Sequence, residues 1–272
     1  MTAHYVDEAY KHIRKHTDFR PVIALVLGSG LGSFAENVSV EYAIDSADIP
    51  NYPVSSVQGH AGKLLFGSIR DNGRTSLPIL LFQGRVHYYE SGLIDRVVLP
   101  VELAHKLGAK TLIVTNAAGG INANFHAGQL MLISDCLNLV GKHPPTKSSG
   151  SRGRQLTGFD IGIQETIRQA ARDLGIGLQE GTYCWLHGPS YETAAEIKML
   201  RTLGVDAIGM STVPEITRAR SLKMKVGGIS LISNMATGLS PSKLSHEEVT
   251  ETADKTQLSF SALMKEIILR IH

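Results

Sequence analysis

Residues 207–215 read AIGMSTVPE, an apolar segment followed by small residues that carry hydroxyl groups. Ser211 and Thr212 lie just before a Pro-Glu pair, which is typical of the first turn of a helix. The unpaired backbone N–H groups at a helix start attract anions, and neighbouring hydroxyl groups add further donors. This segment therefore predicts an anion site that includes Ser211, although an ordinary capped helix explains the same residues.

A glycine-rich turn at residues 28–33, GSGLGS, follows a second apolar segment and could bring backbone N–H groups close to the same anion. A dinucleotide-binding fingerprint begins in the same way, but Ser33 stands where its third glycine or alanine should be. A tight turn between a strand and a helix accounts for this segment equally well.

Residues 83–90, QGRVHYYE, combine cationic and aromatic side chains. If this segment is extended, Arg85, His87 and Tyr89 share one face. A guanidinium and an imidazole could then bind a phosphate, and a phenol could reach a sugar hydroxyl. The alternative is a solvated edge strand with ordinary surface side chains.

Three more junctions carry groups suited to a flat heteroaromatic ligand. Residues 115–120, TNAAGG, have small side chains that leave the backbone open to a ring. Tyr191 and Glu192 lie just before a predicted helix start at Thr193 and offer an aromatic face beside a carboxylate. Asn234 follows an apolar segment near the end of the chain.

These segments lie among short apolar runs that alternate with amphipathic stretches, which is the pattern of an α/β domain with a buried sheet. The predicted strands are residues 22–27, 64–69, 78–82, 111–115, 129–134, 205–209 and 226–232. The predicted helices are residues 3–16, 94–107, 161–174, 194–203, 215–222 and 246–271. Five of the polar segments fall at or just beyond the ends of predicted strands, where α/β sheets gather their ligand sites. Together they predict one pocket for an anion, a sugar and a flat base.

The composition favours a small-molecule substrate over nucleic acid or a membrane as the partner. The chain has 272 residues and a formal net charge of +2, with 43% hydrophobic and 19% charged residues. One domain is expected over residues 1–272. Cys136 and Cys184 are too few for a disulfide framework and lack zinc-ligand spacing. With no apolar run long enough to span a membrane, the expected location is the cytoplasm.

In the same order along about residues 20–250, the chain contains GSGLG, GHAG, GRVHYYE, TNAAGGIN, GPSYETAAE, GMSTVPE, SNMA and LSHEEV. With these motifs the sequence closely resembles the trimeric purine nucleoside phosphorylases. The resemblance implies one α/β domain, with a central mixed, barrel-like β-sheet flanked by helices, that assembles as a homotrimer. It also implies reversible phosphorolysis of purine ribo- and deoxyribonucleosides to the free purine and (deoxy)ribose 1-phosphate, as in purine salvage. Orthophosphate would be a co-substrate, and neither a metal nor an organic cofactor is expected.

The resemblance also assigns roles to residues, motif by motif. The phosphate ligands would be Ser29, His60, Arg85, His87, the backbone of Ala117 and Ser211. The ribose contacts would be Tyr89, Met210 and His246. The base pocket would consist of Ala117, Ala118, Tyr191, Glu192, Gly209 and Asn234. The catalytic residues would be Asn234, Glu192, His87 and His246. Family members usually place a phenylalanine from a neighbouring subunit over the sugar, but the segment around residues 152–159 is shorter and differently composed here. That residue is therefore left unassigned, and Phe159 is only a guess.

The chemistry of the base pocket indicates a preference for 6-oxopurines. The amide of Asn234 can hydrogen-bond N7 and O6, while an ionised Glu192 accepts N–H bonds from N1 and from a 2-amino group. A 6-aminopurine has no N1 proton and reverses the polarity at C6. Inosine and guanosine are therefore expected over adenosine, and an Asn234→Asp exchange should relax that preference. Met235, where some relatives carry lysine, leaves open the choice among inosine, guanosine and xanthosine.

Three other functions are alternatives. A 5′-methylthioadenosine phosphorylase is disfavoured by Glu192, Asn234 and the polar His246, because its substrate has a 6-amino group and an apolar 5′ substituent. A dinucleotide-dependent oxidoreductase is suggested only by residues 28–32. A catalytically silent nucleoside-binding protein would need the same pocket and would differ only in having no turnover.

Overall fold

The computed structural model describes residues 2–57, 61–145, 158–239 and 246–272. The helices are α1 (Thr2–Arg14), α2 (Tyr88–Ser91), α3 (Ile94–Leu107), α4 (Ile161–Asp173), α5 (Ala194–Thr202), α6 (Val213–Ser221) and α7 (His246–Arg270). The strands are β1 (Ile23–Val26), β2 (Val38–Asp45), β3 (Lys63–Asp71), β4 (Arg74–Thr75), β5 (Ile79–Gln83), β6 (Thr111–Gly120), β7 (Leu130–Asn138), β8 (Leu178–Trp185), β9 (Ala207–Gly209) and β10 (Lys225–Met235). No helix within these ranges has a stretch long and apolar enough to cross a bilayer.

The ten strands of the described chain belong to one mixed sheet in the order β10-β7-β8-β9-β6-β1-β5-β3-β2, with β4 paired to β3. Strands β6 and β10 also pair directly, which closes β6, β9, β8, β7 and β10 into a barrel. The other strands extend the sheet outward from β6. The predicted α/β class with a mixed, barrel-like sheet is confirmed.

The sheet is buried on both faces, as β1 illustrates. Ile23 and Leu25 pack into one hydrophobic cluster with side chains of α4 and α7. Ala24 and Val26, whose side chains point the other way, pack into a second cluster with α1 and α3. Because helices cover both faces, the strand reads as a continuous apolar run rather than an alternating one.

Several strand ends meet at one edge of the sheet. Strand β1 runs parallel to β5 and β6, and β10 runs parallel to β6, so their carboxyl ends point the same way. The backbones come very close there, because a Cβ on Gly28 would lie 2.6 Å from Cα of Asn116. Only glycine fits at position 28, because the turn after β1 lies directly against the middle of β6.

The seven predicted strands and six predicted helices are all present, although several bounds differ by some residues. Strands β2, β4 and β8 and the one-turn helix α2 are additional. Strand β2 has little apolar pattern because only Val38 and Ile44 are buried in it. In β8, Glu180 and Gly181 interrupt the apolar run, and Gly181 is required because a Cβ there would lie 2.6 Å from the side chain of Asp206.

Residues 85–89 do not form an extended segment, so the condition under which Arg85, His87 and Tyr89 would share one face of a strand is not met. Strand β5 ends at Gln83, Gly84 adopts a φ of 115°, and Tyr89 already lies in α2. The side chain of Glu90 accepts a hydrogen bond from the backbone N–H of His87 at 2.6 Å, which caps this short helix. A local cap therefore outweighs the strand pattern.

Candidate active site

The junctions at the carboxyl edge of the sheet surround a cavity of about 290 Å³, here called the strand-end cavity. The predicted site residues that line it are Ser29, Arg85, His87, Tyr89, Ala117, Ala118, Tyr191, Glu192, Gly209, Met210, Ser211 and Asn234. His60 lies outside the described residues. The side chain of His246 does too, although α7 begins at that residue. Tertiary folding thus brings together groups that are widely separated in the sequence.

Arg85 provides a guanidinium to the cavity, and this group is buried in an ion pair. Its Nη1 lies 2.8 Å from Oε2 of Glu215, and both side chains are 3% exposed. Nη1 also donates to Oγ1 of Thr212 at 3.1 Å, and Nη2 donates to the carbonyl of Thr115. An unpaired charge in the interior would be costly, so these partners hold Arg85 in place.

Thr212 turns the chain sharply between Ser211 and α6. It has φ 78° and ψ −52°, and the N–H of Val213 donates to the carbonyl of Ser211 at 2.9 Å, as in a γ-turn with positive φ. This conformation is unfavourable for a β-branched residue. Glu215 stabilises it, because Oε2 accepts the backbone N–H of Thr212 at 2.9 Å. The turn leaves Ser211 at the cavity wall.

The hydrogen bonds of the Thr212 hydroxyl limit the acceptors to which the Ser211 hydroxyl can donate. Oγ1 of Thr212 accepts from Arg85 and from Nδ2 of Asn116, which lies 2.8 Å away. Both partners can only donate, so the proton of Thr212 is directed to Oγ of Ser211 at 3.1 Å. Ser211 then donates elsewhere, either to Tyr183, whose hydroxyl lies beside it, or to an acceptor in the cavity. An anion next to Arg85 would be such an acceptor.

His87 is oriented by Glu90. Oε1 of Glu90 lies 3.2 Å from Nδ1 of His87, and the carboxylate also accepts from the N–H and hydroxyl of Ser56 at 2.7 and 2.9 Å. Burial alone would raise the pKa of Glu90, but hydrogen bonds from His87 and Ser56 lower it to about 2. The ionised carboxylate therefore keeps Nδ1 as a donor and fixes the orientation of the ring.

Asn234 supplies an amide to another part of the cavity. The pairing of β10 with β6 shifts register between Ile232 and Asn234, an irregularity of the kind that re-aims side chains. Oδ1 of Asn234 accepts from Oγ of Ser233 at 2.7 Å, and Nδ2 donates to the carbonyl of Met235 at 3.3 Å. The second N–H of Nδ2 has no acceptor among the described residues, so it can donate to a ligand.

Glu192 places a carboxylate in a partly desolvated region. Burial raises the pKa of Glu192; a hydrogen bond to its own backbone opposes this shift, and the charge of Glu196 adds to it. Thr193 is the N-cap of α5 and forms a capping box with Glu196, so Glu192 lies just outside a helix start, as predicted. The neighbouring Tyr191 is 46% exposed. Elsewhere in the cavity wall, the ring of Tyr89 stacks on the ring of His87, with the two centroids 5.0 Å apart.

The residues that hold these groups in place are mostly absent from the predicted site. Glu215 and Glu90 stand three residues after Thr212 and His87, and this spacing predicts helix caps. The spacing does not show that the carboxylate of Glu215 also binds Arg85, or that the carboxylate of Glu90 also orients the imidazole of His87. Asn116, which supports Thr212, lies within β6 beside the small residues that line the cavity, and its amide is not among the predicted site groups.

Phe159 is not placed to cover a sugar in a neighbouring subunit. It is 7% exposed and belongs to the hydrophobic core of its own subunit. Its ring lies 3.1 Å from the position that a Cβ on Gly228 would occupy, so the glycine of β10 makes room for it. A side chain buried in this way cannot reach another subunit, so Phe159 is not the covering residue.

Known proteins with similar sequences form one family. Residues 22–269 match the sequence model of the phosphorylase superfamily. The chain is 42% identical over 268 residues to purine nucleoside phosphorylase 1 of Geobacillus stearothermophilus, which covers 97% of this chain and 96% of that protein. It is 40% identical over 284 residues to the purine nucleoside phosphorylase of Bos taurus, with coverage of 98% and 96%.

Solved structures agree with the sequence comparison. The crystal structure of Schistosoma mansoni purine nucleoside phosphorylase in complex with adenosine matches with a TM-score of 0.87 and 34% identity, covering 98% of this chain and 97% of that chain. A schistosoma purine nucleoside phosphorylase in complex with hypoxanthine matches equally well. The similarity therefore extends over nearly the whole chain.

Proposed function

The chain belongs to the purine nucleoside phosphorylase family, and from that membership we propose that it transfers the ribosyl or deoxyribosyl group of inosine and guanosine to orthophosphate. Phosphorolysis of purine nucleosides is the reaction of the family and makes the chain a pentosyltransferase. One observation carries the proposed preference. A single cavity combines anion donors, Arg85 and Ser211, with a carboxylate and an amide, Glu192 and Asn234.

We propose that orthophosphate binds beside Arg85. The other ligands assigned to it are Ser29, His60, His87, the backbone N–H of Ala117, and Ser211. Cleavage of the N-glycosidic bond leaves positive charge on the ribosyl ring, which a phosphate dianion close to C1′ would stabilise. Fixed donors also replace a chance encounter by a positioned attack on C1′.

The departing purine carries negative charge and needs donors of its own. The free N–H of Asn234 can donate to O6 or N7, and ionised Glu192 can accept from N1 and a 2-amino group. The remaining base contacts are assigned to Ala117, Ala118, Tyr191 and Gly209, and the ribose contacts to Tyr89, Met210 and His246. The proposed catalytic residues are Asn234, Glu192, His87 and His246.

Adenosine is proposed to be a poor substrate, even though the Schistosoma mansoni relative has been solved in complex with adenosine. Adenine offers no N1 proton to Glu192 and places N–H donors where Asn234 also donates. Such mismatches weaken stabilisation of the transition state, so the preference should appear in kcat/KM.

The proposal is tested by measuring purine release from inosine, guanosine, adenosine and 5′-methylthioadenosine, with and without orthophosphate. Phosphate-dependent release from inosine and guanosine, with little from the other two, is the expected result. Release without phosphate would mean that water replaces phosphate as the nucleophile. Activity confined to the 6-amino nucleosides would contradict the roles given to Glu192 and Asn234.

The ratio of kcat/KM for inosine to that for adenosine is expected to fall as the pH is lowered. Ionised Glu192 accepts the N1 proton of hypoxanthine, whereas protonated Glu192 can donate to N1 of adenine. Because burial raises the pKa of Glu192 above the usual 4.5, the ratio should change at less acidic pH than for an exposed glutamate. Phosphate is the co-substrate in both reactions, so the effect of its titration cancels in the ratio.

The matched control for this pH profile is Glu192→Gln, in which position 192 no longer titrates. Its ratio should be independent of pH. A wild-type ratio that is equally independent of pH would argue against a base contact by Glu192.

Glu90→Gln is expected to raise KM for phosphate about tenfold, since a hydrogen bond to a charged group contributes about 1.5–3 kcal/mol. The amide keeps the size of the side chain but loses the charge that holds Nδ1 of His87. Steady-state kinetics with phosphate as the varied substrate measure the effect. Glu180→Gln, which removes a surface ion pair with Arg168, is the control and should leave KM unchanged.

Orthophosphate is proposed to be the only co-substrate, with no metal or organic cofactor. In the described part of the chain, no three His, Cys, Asp or Glu side chains lie close enough to hold a metal ion. A chelator should therefore leave the rate of phosphorolysis unchanged, and a loss of activity restored by a divalent cation would contradict this.

We also propose that residues 1–272 form one domain and that the chain assembles as a homotrimer in the cytoplasm. The trimer is supported by the resemblance of the sequence to trimeric relatives, and light scattering tests it.

A reducing compartment is supported by the thiols of Cys136 and Cys184, which are both buried and free. Burial raises the pKa of each thiol to about 12.

A further inference from the structure

Arg85 borders the strand-end cavity with its charge already neutralised. It is the only Lys or Arg among the described residues that line the cavity. Its partner Glu215 lies at 2.8 Å and is as deeply buried, with both side chains 3% exposed. Solvent screens such a pair weakly, so the carboxylate acts on any charge that binds nearby.

Glu215 uses one oxygen for two contacts. Oε2 accepts from Nη1 of Arg85 at 2.8 Å and from the backbone N–H of Thr212 at 2.9 Å. The same Nη1 reaches Oγ1 of Thr212 at 3.1 Å and Oγ of Ser211 at 3.5 Å. An anion that binds to Arg85 and Ser211 must therefore share this guanidinium with a carboxylate of the same sign of charge.

We propose that Glu215 is the internal counter-ion of Arg85, which keeps the guanidinium paired when phosphate is absent and weakens the binding of phosphate when it is present. The inference rests on the proposed binding of phosphate to Arg85. Repulsion between the carboxylate and the phosphate dianion offsets part of the attraction by Arg85. Phosphate affinity is thereby set below the value that an unpaired arginine would produce.

The substitution Glu215→Gln separates the charge of Glu215 from its hydrogen bonds. The amide oxygen of Glu215→Gln can still accept from Thr212 and Arg85, so a purely structural cap would survive the exchange. The negative charge is lost. Among the described residues Arg85 then has no counter-ion, and bound phosphate can take that role.

The experiment combines titration calorimetry with inorganic phosphate and thermal unfolding with and without phosphate. Glu215→Gln should bind phosphate at least about fivefold more tightly than wild type, because the like charge is gone. Its Tm without phosphate should be lower than that of wild type. The rise in Tm on adding phosphate should be larger, since a ligand stabilises in proportion to the logarithm of its concentration over Kd.

Glu102→Gln is the matched control. Glu102 forms an ion pair with Arg218 of α6 at 2.8 Å, with side chains 11% and 8% exposed, and neither residue lines the strand-end cavity. This variant should lower Tm and leave phosphate affinity unchanged. Glu215→Asp, which keeps the charge, should bind phosphate within about twofold of wild type.

Three results would overturn the inference. Phosphate affinity of Glu215→Gln that equals or falls below that of wild type would show that Glu215 only shapes the site. Equal tightening in Glu215→Asp would assign the effect to geometry rather than charge. A Glu215→Gln chain that stays unfolded at saturating phosphate would show that phosphate cannot replace Glu215 beside Arg85.

Arg85→Lys separates failure of this inference from failure of the proposed phosphate site. If Arg85→Lys binds phosphate as wild type does, the phosphate site is wrongly assigned. If Arg85→Lys weakens binding while Glu215→Gln does not tighten it, the site stands and only the counter-ion role fails.

Discussion

Asn234→Ala is expected to lower kcat for inosine phosphorolysis by about 100- to 1,000-fold, the usual cost of removing one preorganised donor to a developing negative charge. Asn234 lines the strand-end cavity, and the contact from Ser233 to its Oδ1 at 2.7 Å holds the amide in one orientation. In the proposed base contact, the N–H of Nδ2 that has no acceptor among the described residues would face charge that is small in the bound nucleoside and large as the bond breaks. Loss of kcat should therefore exceed any rise in KM.

Steady-state kinetics together with equilibrium binding of hypoxanthine check this prediction. Asn138→Ala is the control, because Asn138 makes an exposed hydrogen bond to the carbonyl of Lys142. It should leave both constants unchanged. If Asn234→Ala raised KM and left kcat intact, the amide would contribute uniform binding rather than stabilisation of the leaving group.

Arg85→Lys is expected to lower kcat/KM for phosphate by about 10- to 100-fold, because hydrogen bonds to a charged group contribute about 1.5–3 kcal/mol. Lysine keeps the charge that Glu215 requires. It has a single nitrogen, however, and cannot reproduce the fork that reaches Glu215, Thr212 and the carbonyl of Thr115 at once. KM for inosine should change little, since the proposed base contacts lie elsewhere in the cavity.

Kinetics with phosphate and inosine varied in turn measure the two effects separately. Arg168→Lys is the matched control, since Arg168 also binds a carboxylate with two nitrogens, Nε and Nη2, at 2.7 and 2.8 Å from Glu180 on the surface. It should change neither constant. A larger loss for inosine than for phosphate would move Arg85 away from the anion site.

Local sequence predicts most of the elements here, because the signals for strands and helix starts involve residues that are close together in the chain. Apolar runs such as residues 22–27 and 226–232 are long enough to form buried strands. Capping pairs such as Thr193 and Glu196, three residues apart, indicate where a helix begins. Where two local preferences compete, the prediction fails. The strand pattern of residues 85–89 loses to the cap that Glu90 provides.

The cavity residues are also visible in the sequence, because small and polar residues directly after apolar runs have few roles other than turns and ligand contacts. Parallel strands place their carboxyl ends at one edge, so polar residues in or just after the last part of β1, β5, β6 and β10 could be expected to meet. That one cavity receives them together with Tyr191 and Glu192 depends on closure of the barrel by β6 and β10.

The sequence by itself therefore determined the α/β class, the family motifs and the positions at which polar groups follow strands. Only the tertiary structure decided which carboxylate neutralises Arg85 and how Ser211 directs its proton. A buried guanidinium needs an acid, but the chain has 25 aspartates and glutamates, and Glu215 lies 130 positions away. Local propensities act over a few residues, whereas the partner of a buried charge is chosen by the path of the whole chain.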